Sequence, residues 1–212
     1  MSDAGDAAST HLRAADPVMA ALIERVGALP EPSRPSTRPS PGEHYAGLLR
    51  AIVGQQLSTR AAAAIWQRLL AHFDGRQPTP EEVLAADPDE LRAAAGLSRA
   101  KTTYLRSLAE HVIEGSLELD RLEELDDDAV IAELVAVKGI GEWSAHMFLM
   151  FQLERPDVLA PGDLGVRRGV QIAYGLPELP TPTEVIALAE RWRPYRTAAC
   201  RYLWRAIDAP PQ

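Results

Sequence analysis

Apolar residues recur at three- and four-residue spacing along most of this 212-residue chain, which is the period of an amphipathic helix. Ser58, Ser98 and Asp126 each precede such a run, where their side chains can cap the first turn. Three further segments combine a capping residue, a proline and a glutamate in the order of a capping box. They are 79–82, 87–90 and 181–184. No segment alternates convincingly as a strand would, so the pattern predicts an all-α fold of about nine or ten helices.

Proline and polar composition divide the chain into segments. The first 16 residues are rich in Ala, Asp and Ser, and we expect them to fray. A helical pattern runs from Pro17 to Leu29, and the repeated prolines between Glu31 and Gly42 predict a connector over the surface. The expected divisions are residues 1–42, which pack with the C-terminal helices, residues 43–170, which form a helical domain, and residues 171–212, which complete a second lobe.

Composition excludes several classes of protein. The apolar fraction is 46% and the charged fraction 25%, as in soluble globular chains. Cys200 is the one cysteine, which excludes an internal disulfide, a four-cysteine zinc site and a cysteine-held iron–sulfur cluster, and five histidines lack metal-ligand spacing. No apolar run approaches the roughly 18 residues of a membrane span, and the first residues lack a signal-peptide pattern. We therefore expect a cytoplasmic protein with no membrane partner and no required cofactor.

The net charge of −8, from 22 basic and 30 acidic residues, argues at first against a nucleic-acid partner. Its distribution changes that conclusion. Ten acidic residues and one arginine lie between Glu110 and Leu134, which leaves +1 for the rest of the chain. The acidity is therefore one patch. A DNA partner remains compatible with the sequence, with weak non-specific binding and a shallow salt dependence.

A glycine-containing turn between two predicted helices is the most informative pattern. The first helix ends near Val137, the segment Lys138–Gly141 (KGIG) follows, and the second helix begins at once. Two glycines around an apolar residue allow a sharp turn whose amides point outward at a helix N-terminus, where anions bind. We therefore predict a helix-hairpin-helix at about residues 127–153, with Ile140 plugged into the core. The motif alone leaves open an ordinary turn with a glycine C-cap.

Asp163 follows a Pro-Gly pair, lies 22 residues after Gly141 and opens another predicted helix. On its own such an aspartate is most often an N-cap. Together with the hairpin, the pattern resembles the helix-hairpin-helix DNA glycosylase superfamily, and most closely its 3-methyladenine DNA glycosylase II branch. The resemblance extends from about Glu43 to Asp208. Three further segments resemble motifs of that branch, namely 52–58 (IVGQQLS), 96–101 (GLSRAK) and 191–204 (RWRPYRTAACRYLW).

The resemblance implies a two-lobed, all-α glycosylase core in the compact form without the β-rich N-terminal domain of larger bacterial members. It implies an enzyme that flips alkylated purines, such as 3-methyladenine and 7-methylguanine, out of double-stranded DNA and into a cleft between the lobes. Hydrolysis of the N-glycosidic bond would leave an abasic site for base-excision repair. The expected partner is alkylated double-stranded DNA, bound by a monomer that is nucleoid-associated if the source is bacterial.

The resemblance assigns roles to residues around the damaged base. Asp163 is the expected catalytic residue, because a carboxylate stabilises the oxocarbenium-like sugar of the transition state. Trp204 matches the pocket tryptophan of the family. Trp143 and Tyr104 are expected to line the same cavity, although buried aromatic residues are more often core. Met147 stands where some relatives carry a pocket tyrosine, which leaves the base preference open.

The resemblance also assigns residues to the DNA. Gln56 matches the intercalating position that fills the gap left by the flipped base, and Leu57 is the second candidate, although Gln56 as a simple helix end is an open alternative. The expected contacts to the DNA backbone are Lys138, Gly139, Ile140, Gly141, Arg167 and Arg168, and for each charged side chain a solvated surface charge is the alternative. The backbone carbonyls of Val135, Val137 and Ile140 match those that hold Na⁺ or K⁺ in family members.

One position decides a subclass of activity. Bifunctional relatives place a lysine two residues after the second hairpin glycine, where it forms a Schiff base and nicks the strand. The residue here is Trp143, which implies a monofunctional enzyme. Two alternatives stay open: a non-catalytic helix-hairpin-helix module that binds bent or abasic DNA, and a glycosylase for deaminated or 1-methylated purines. A helical scaffold without a DNA role requires four matching motifs to coincide.

Overall fold

A computed structural model describes residues 3–30 and 41–208 of the chain. In these ranges all regular secondary structure is helical, with twelve α-helices and one 3-10 helix, Glu190–Trp192. The α-helices are α1 Asp3–Ala15, α2 Pro17–Val26, α3 Pro41–Gly54, α4 Thr59–His72, α5 Pro80–Ala85, α6 Pro88–Ala95, α7 Arg99–Ile113, α8 Asp127–Ala136, α9 Glu142–Phe151, α10 Leu164–Tyr174, α11 Pro182–Ala189 and α12 Arg196–Asp208. The all-α prediction is confirmed, with more helices than the nine or ten expected.

The connector predicted from Glu31 to Gly42 falls mostly outside the described residues. Where description resumes, Pro41 is already the first residue of α3, so the last two connector positions are helical. Proline suits that position because its φ angle is preset for a helix and its missing N–H is not needed there. No helix within the described ranges has the length and apolar composition needed to cross a membrane.

Side-chain caps set the starts of most helices as the sequence predicts. Thr79 and Thr181 form capping boxes in which each threonine hydroxyl and the following glutamate carboxylate accept backbone amides. Asp87 differs, because its own carboxylate accepts two amides, each at 2.9 Å, and it caps α6 without the reciprocal bond. Simple side-chain caps are also made by Ser58, Ser98 and Asp126.

The chain folds as two compact units. The first consists of Met1–Thr37 and Leu149–Gln212, and the second of Arg38–Phe148. In the first unit α2 packs on α10 and α12, as expected for N-terminal residues that join the C-terminal helices. The expected division at residue 170 differs from this grouping, because α10 lies in close contact with α12 and belongs with it.

Within the N-terminal segment expected to fray, residues 3–15 form α1 instead. Leu12 is fully buried and Ala8 is 7% exposed, and the helix packs on α2 and α12. Alanine has the highest helix propensity, and burial of one leucine side chain stabilises by about 1.5–3 kcal/mol. The expectation of fraying was wrong because only tertiary contacts mark Leu12 as a core residue.

Asp16 is a fully buried carboxylate in the core of the first unit. Its Oδ1 caps α2 by accepting the amides of Val18 at 2.9 Å and Met19 at 3.4 Å. Its Oδ2 accepts the Tyr174 hydroxyl and Trp192 Nε1, the latter at 3.1 Å. Burial, followed by the bond to Asp16, raises the pKa of Tyr174 well above its ordinary value, so the hydroxyl stays protonated and donates. Four donors therefore stabilise this buried charge.

The substitution Asp16→Ala is expected to lower the free energy of unfolding by about 3–5 kcal/mol. It removes an N-cap, and it leaves two buried donors without an acceptor, each worth about 1–3 kcal/mol. The matched control is Asp87→Ala, which removes an exposed N-cap and is expected to cost about 1 kcal/mol. Urea unfolding monitored by circular dichroism measures both variants. Equal losses would contradict the role assigned to the buried network.

Candidate active site

The helix-hairpin-helix predicted at about residues 127–153 is formed by α8 and α9. Val137 caps α8 in an extended conformation, and its carbonyl accepts the Ile140 amide at 3.0 Å. The Gly141 carbonyl accepts the Ala145 amide at 3.0 Å as the first bond of α9. Ile140 is 5% exposed. The prediction that this residue plugs the turn into the core of the second unit is therefore confirmed.

The two glycines of the hairpin have different roles. Gly139 has a φ of +92°, which side-chain-bearing residues rarely adopt, and a Cβ there would collide with the ring of Tyr104. Gly141 has no such constraint, since a Cβ there would meet open space. Tyr104, predicted as a residue of the base pocket, therefore lies against Gly139 in the second unit and packs on the hairpin.

The hairpin has the geometry of an anion site. The Lys138 amide donates to Ser107 Oγ at 3.2 Å, and the Ile140 amide is used within the turn. Among the residues that the structure describes, no protein acceptor takes the amide hydrogens of Gly139 and Gly141. These amides lie at the positive end of the α9 dipole, and the Lys138 side chain beside them is exposed. Their use for DNA phosphates stays a prediction.

Gln56 occupies a strained backbone position two residues after α3. Its φ is +57°, in the left-handed region that glutamine rarely adopts. Its side chain is exposed, and Leu57 beside it is 38% exposed. A left-handed residue is also typical of a helix end. Both interpretations from the sequence, a helix end and a projecting side chain, are therefore compatible with the backbone.

Two polar side chains, to which the sequence analysis assigned no role, hold the loop of Gln56. Lys101 Nζ donates to the carbonyls of Val53 at 2.6 Å and Gln55 at 2.8 Å. Gln55 Nε2 donates to the Gly139 carbonyl at 2.7 Å. Desolvation lowers the pKa of Lys101 from its ordinary value. The two motifs around residues 52–58 and 96–101 therefore meet the hairpin in one hydrogen-bonded assembly, which sequence spacing alone does not reveal.

Asp163 and Trp204 are in direct contact within the first unit. Asp163 Oδ1 accepts the Val166 amide at 2.7 Å as the N-cap of α10, and the same oxygen accepts Trp204 Nε1 at 2.8 Å. Both side chains are half-buried. The two interpretations of Asp163 from the sequence therefore do not compete. The cap orients the carboxylate, and the helix N-terminus stabilises its negative charge.

Gly165 makes the contact between Asp163 and Trp204 possible. A Cβ at this glycine would lie 2.7 Å from Trp204 Cδ1 and 3.0 Å from Asp163 Oδ1, closer than real side chains allow. One turn later, a Cβ at Gly169 would collide with the backbone of Leu203 on α12. The two glycines therefore let α10 and α12 approach closely, so that the indole lies over the first turn of α10.

Phe151 is a residue of this site that the sequence analysis missed. Its ring stacks on Trp204 with centroids 5.9 Å apart and an interplanar angle of 26°. It is 49% exposed although it ends the apolar run MFLMF of α9. A run of this kind indicates a core helix, so no signal in the sequence marks the last phenylalanine as exposed. Together the two rings form an aromatic surface beside Asp163.

The other residues predicted to line the base pocket belong to the second unit. Trp143 and Met147 belong to the second unit, as Tyr104 does, whereas Asp163 and Trp204 belong to the first. Trp143 is 51% exposed, which excludes the alternative that it is a core residue, and Met147 is half-buried. Their expected positions around the base remain predictions.

The predicted phosphate contacts on α10 differ from each other. Arg167 Nε donates to the Pro180 carbonyl at 2.7 Å, so part of its guanidinium supports the fold of the first unit. Arg168 is exposed. The alternative interpretation, a surface charge in contact with solvent, therefore fits Arg168 better than Arg167. Neither side chain is tested as a DNA contact by this geometry.

A network of polar contacts fixes the loop before Asp163 against the start of α12. Asp157 accepts Arg196 Nε at 2.8 Å and Arg193 Nη1 at 2.7 Å. The Thr197 hydroxyl donates to the Arg155 carbonyl at 2.6 Å and accepts the Val158 amide at 3.0 Å. These contacts join the loop that precedes Asp163 to the start of α12, the helix that carries Trp204. They explain part of the motif at residues 191–204.

Other reactive groups near this site are unsuited to its chemistry. Burial raises the pKa of Cys200 to about 12, so its thiol is neutral. Within the described ranges, no group of three or more His, Cys, Asp and Glu side chains could hold a metal ion. The Asp163 carboxylate, held by the Val166 amide and Trp204 Nε1, suits electrostatic stabilisation of positive charge on a bound molecule.

The substitution Gln56→Gly is expected to raise the free energy of unfolding by about 1 kcal/mol, because a left-handed backbone costs other residues roughly 1–2 kcal/mol. The control is Gln56→Ala, which shortens the side chain but keeps the Cβ and thus the strain. Urea unfolding of the two variants and the wild type measures the difference. If both variants were equally stable, the backbone at this position would not be strained.

Comparison with known proteins identifies the family of the chain. Residues 49–194 match the HhH-GPD superfamily of base excision DNA repair proteins. The chain is 37% identical to DNA-3-methyladenine glycosylase 1 of Schizosaccharomyces pombe over 200 residues, which cover 93% of this chain and 86% of the relative.

Two solved structures are similar over nearly the whole chain. The S. pombe 3-methyladenine DNA glycosylase in complex with abasic DNA superimposes with a TM-score of 0.79 at 36% identity, covering 93% of this chain and 94% of the other. A DNA-3-methyladenine glycosidase of Bacillus halodurans gives a TM-score of 0.82 at 39% identity, covering 94% of this chain and 88% of the other. This protein therefore belongs to the HhH-GPD superfamily of base excision DNA repair proteins.

Proposed function

We propose that this protein is a DNA-3-methyladenine glycosylase that removes N-alkylated purines, such as 3-methyladenine and 7-methylguanine, from double-stranded DNA. The observation that carries the proposal is the Asp163 carboxylate, oriented by Val166 and Trp204 at the N-terminus of α10. Relatives of 37% and 39% identity bear the names of glycosylases or glycosidases of 3-methyladenine, and one structure holds abasic DNA. The expected monomeric state and cytoplasmic location belong to the same proposal.

Asp163 stabilises the transition state of hydrolysis. As the N-glycosidic bond breaks, positive charge develops on the sugar, and a fixed carboxylate lowers the energy of that cation. The two hydrogen bonds to Oδ1 hold the group in place, so little reorganisation is needed when the charge appears. A water molecule attacks the sugar, and the Asp163 carboxylate orients that water. The products are a free base and an intact abasic site.

The leaving base needs little acid assistance, because an N-alkylated purine already carries positive charge. Trp204 and Phe151 form a stacked aromatic surface beside the carboxylate. A cationic ring over such a surface gains about 0.5–2 kcal/mol from cation–π attraction, more where it is desolvated. The aromatic pair therefore favours alkylated purines over neutral ones, and Asp163 complements the same positive charge.

The target base must leave the stack before it can react. Gln56 and Leu57 fill the gap in the duplex, since both side chains are exposed on a loop that Lys101 and Gln55 hold in place. The amides of Gly139 and Gly141 bind the DNA backbone at the N-terminus of α9. With Trp143 at the position of the lyase lysine, the enzyme hydrolyses the bond and does not nick the strand.

A monovalent cation, Na⁺ or K⁺, binds the carbonyl oxygens of Val135, Val137 and Ile140 in this proposal. The donor set fits such an ion, because Val135 and Val137 lie at the C-terminal end of α8, where the helix dipole is negative, and the Val137 carbonyl keeps a second lone pair beside its bond to the Ile140 amide. Neutral carbonyl oxygens suit hard cations of low charge. The ion would hold the hairpin backbone in its binding conformation.

The substitution Asp163→Asn is expected to reduce the rate of 3-methyladenine and 7-methylguanine release by about 100-fold or more, the magnitude typical for loss of a preorganised electrostatic group. Asparagine is an equally good N-cap, and its Oδ1 can accept the same two donors, so the fold is retained. Single-turnover release from alkylated duplex DNA is the measurement.

The matched control is Asp126→Asn, which changes the exposed N-cap of α8 in the same way and leaves the release rate at the wild-type value. Full activity in Asp163→Asn would overturn the assigned mechanism. Tight binding of abasic DNA by a wild-type protein that releases no base would support the non-catalytic module instead. Release of deaminated or 1-methylated purines alone would change the lesion class.

Replacement of Na⁺ and K⁺ by choline at constant ionic strength tests the cation site. The melting temperature is expected to fall by about 2–4 °C, because loss of a ligand worth about 1 kcal/mol shifts the midpoint by that amount in a chain of this size. Thermal unfolding gives the result independently of activity. An unchanged midpoint in choline would exclude a bound monovalent ion.

A further inference from the structure

A cleft of about 420 Å³, lined by several charged side chains, lies beside the hairpin in the second unit. It is lined by residues of α6 and α7 and by Lys138, and we call it the α7 cleft. Four basic and two acidic side chains line it, so its formal charge is positive in a protein whose net charge is −8. The basic side chains are Arg92, Arg99, Arg106 and Lys138.

Two of the four basic groups are committed to contacts within the fold. Arg92 pairs with Asp89 at 3.2 Å, which removes one positive and one negative charge from the sum. Arg106 Nη1 donates to three carbonyls at the C-terminal end of α5, at 3.1–3.3 Å. Arg99 and Lys138, by contrast, are exposed. The two of them present the charge of the cleft to an incoming ligand.

The α7 cleft is continuous with the anion site of the hairpin. Ser107, on the lining of the cleft, accepts the Lys138 amide at 3.2 Å, so the turn that presents the glycine amides is bonded to the floor of the cleft. Arg99 is the first residue of α7, two helical turns before Ser107, and the N-terminal amides of the helix add positive potential around it. Glu110 lies one turn after Ser107, at the opposite end of the lining from Arg99, where the acidic stretch of the sequence begins.

We propose that the α7 cleft binds a second backbone phosphate of the DNA, next to the one at the hairpin, with Arg99 as its principal ligand. The inference rests on the proposed function for the presence of DNA. A guanidinium forms paired charge-assisted hydrogen bonds to phosphate oxygens, which an ammonium does not. Glu110, three helical turns from Arg99, repels the strand at its own end and limits the site to the end formed by Arg99. The cleft supplies phosphate neutralisation that the overall charge of the protein lacks.

The salt dependence of binding to a short undamaged duplex tests this site. Each phosphate neutralised contributes about 0.9 to the slope of log K against log salt concentration. Arg99→Gln is expected to reduce that slope by about 0.9 and to weaken binding at low salt by about tenfold. Arg99→Lys keeps the charge and is expected to retain the slope while losing part of the affinity. Glu110→Gln, which removes the repulsion, is expected to tighten binding by about twofold.

The matched control is Arg121→Gln, which removes the same charge from an exposed arginine within the acidic stretch. Its slope and affinity are expected to equal those of the wild type. If Arg99→Gln behaved like Arg121→Gln, or if Glu110→Gln weakened binding, the α7 cleft would not be a phosphate site. Release of 3-methyladenine by the wild type is assayed in parallel. Absent release with the expected slopes would overturn the proposed function and leave the phosphate site standing.

Discussion

The close approach of α10 to α12 is the constraint on which the candidate active site depends. Gly165 and Gly169 remove the side chains that would hold the two helices apart, and the indole of Trp204 then lies over the first turn of α10. Only in that position does its Nε1 reach the carboxylate that caps the same helix. Phe151 stacks on the indole in turn. A packing requirement between two helices thus determines the geometry of the charged group.

Much of this protein follows from sequence patterns that have a local physical cause. Capping residues, prolines at helix starts and helical periodicity predicted the all-α fold, and a two-glycine turn predicted the hairpin with Ile140 buried. These features depend on residues a few positions apart, so the sequence contains them directly. The N-cap interpretation of Asp163 was likewise available from the chain alone.

The features that sequence reading missed depend on contacts between distant segments. Lys101 reaches carbonyls nearly fifty positions away, and Phe151 is exposed and stacks on a tryptophan 53 positions further along the chain. In the sequence Leu12 belongs to an alanine-rich terminal segment, and only its packing shows that it is a core residue. The left-handed φ of Gln56 runs against the preference of its residue type, and no local rule anticipates it. Tertiary contacts determine these features.

Cys200 illustrates a different consequence of the same packing. The thiol is fully buried on α12, and burial raises its pKa to about 12, so it stays protonated at neutral pH. The thiolate is the form that reacts with electrophiles, so the one cysteine of the chain is shielded from methylating agents both by enclosure and by protonation. A protein that repairs alkylated DNA would thereby resist the chemicals that create its substrate, and its function would persist while that damage accumulates.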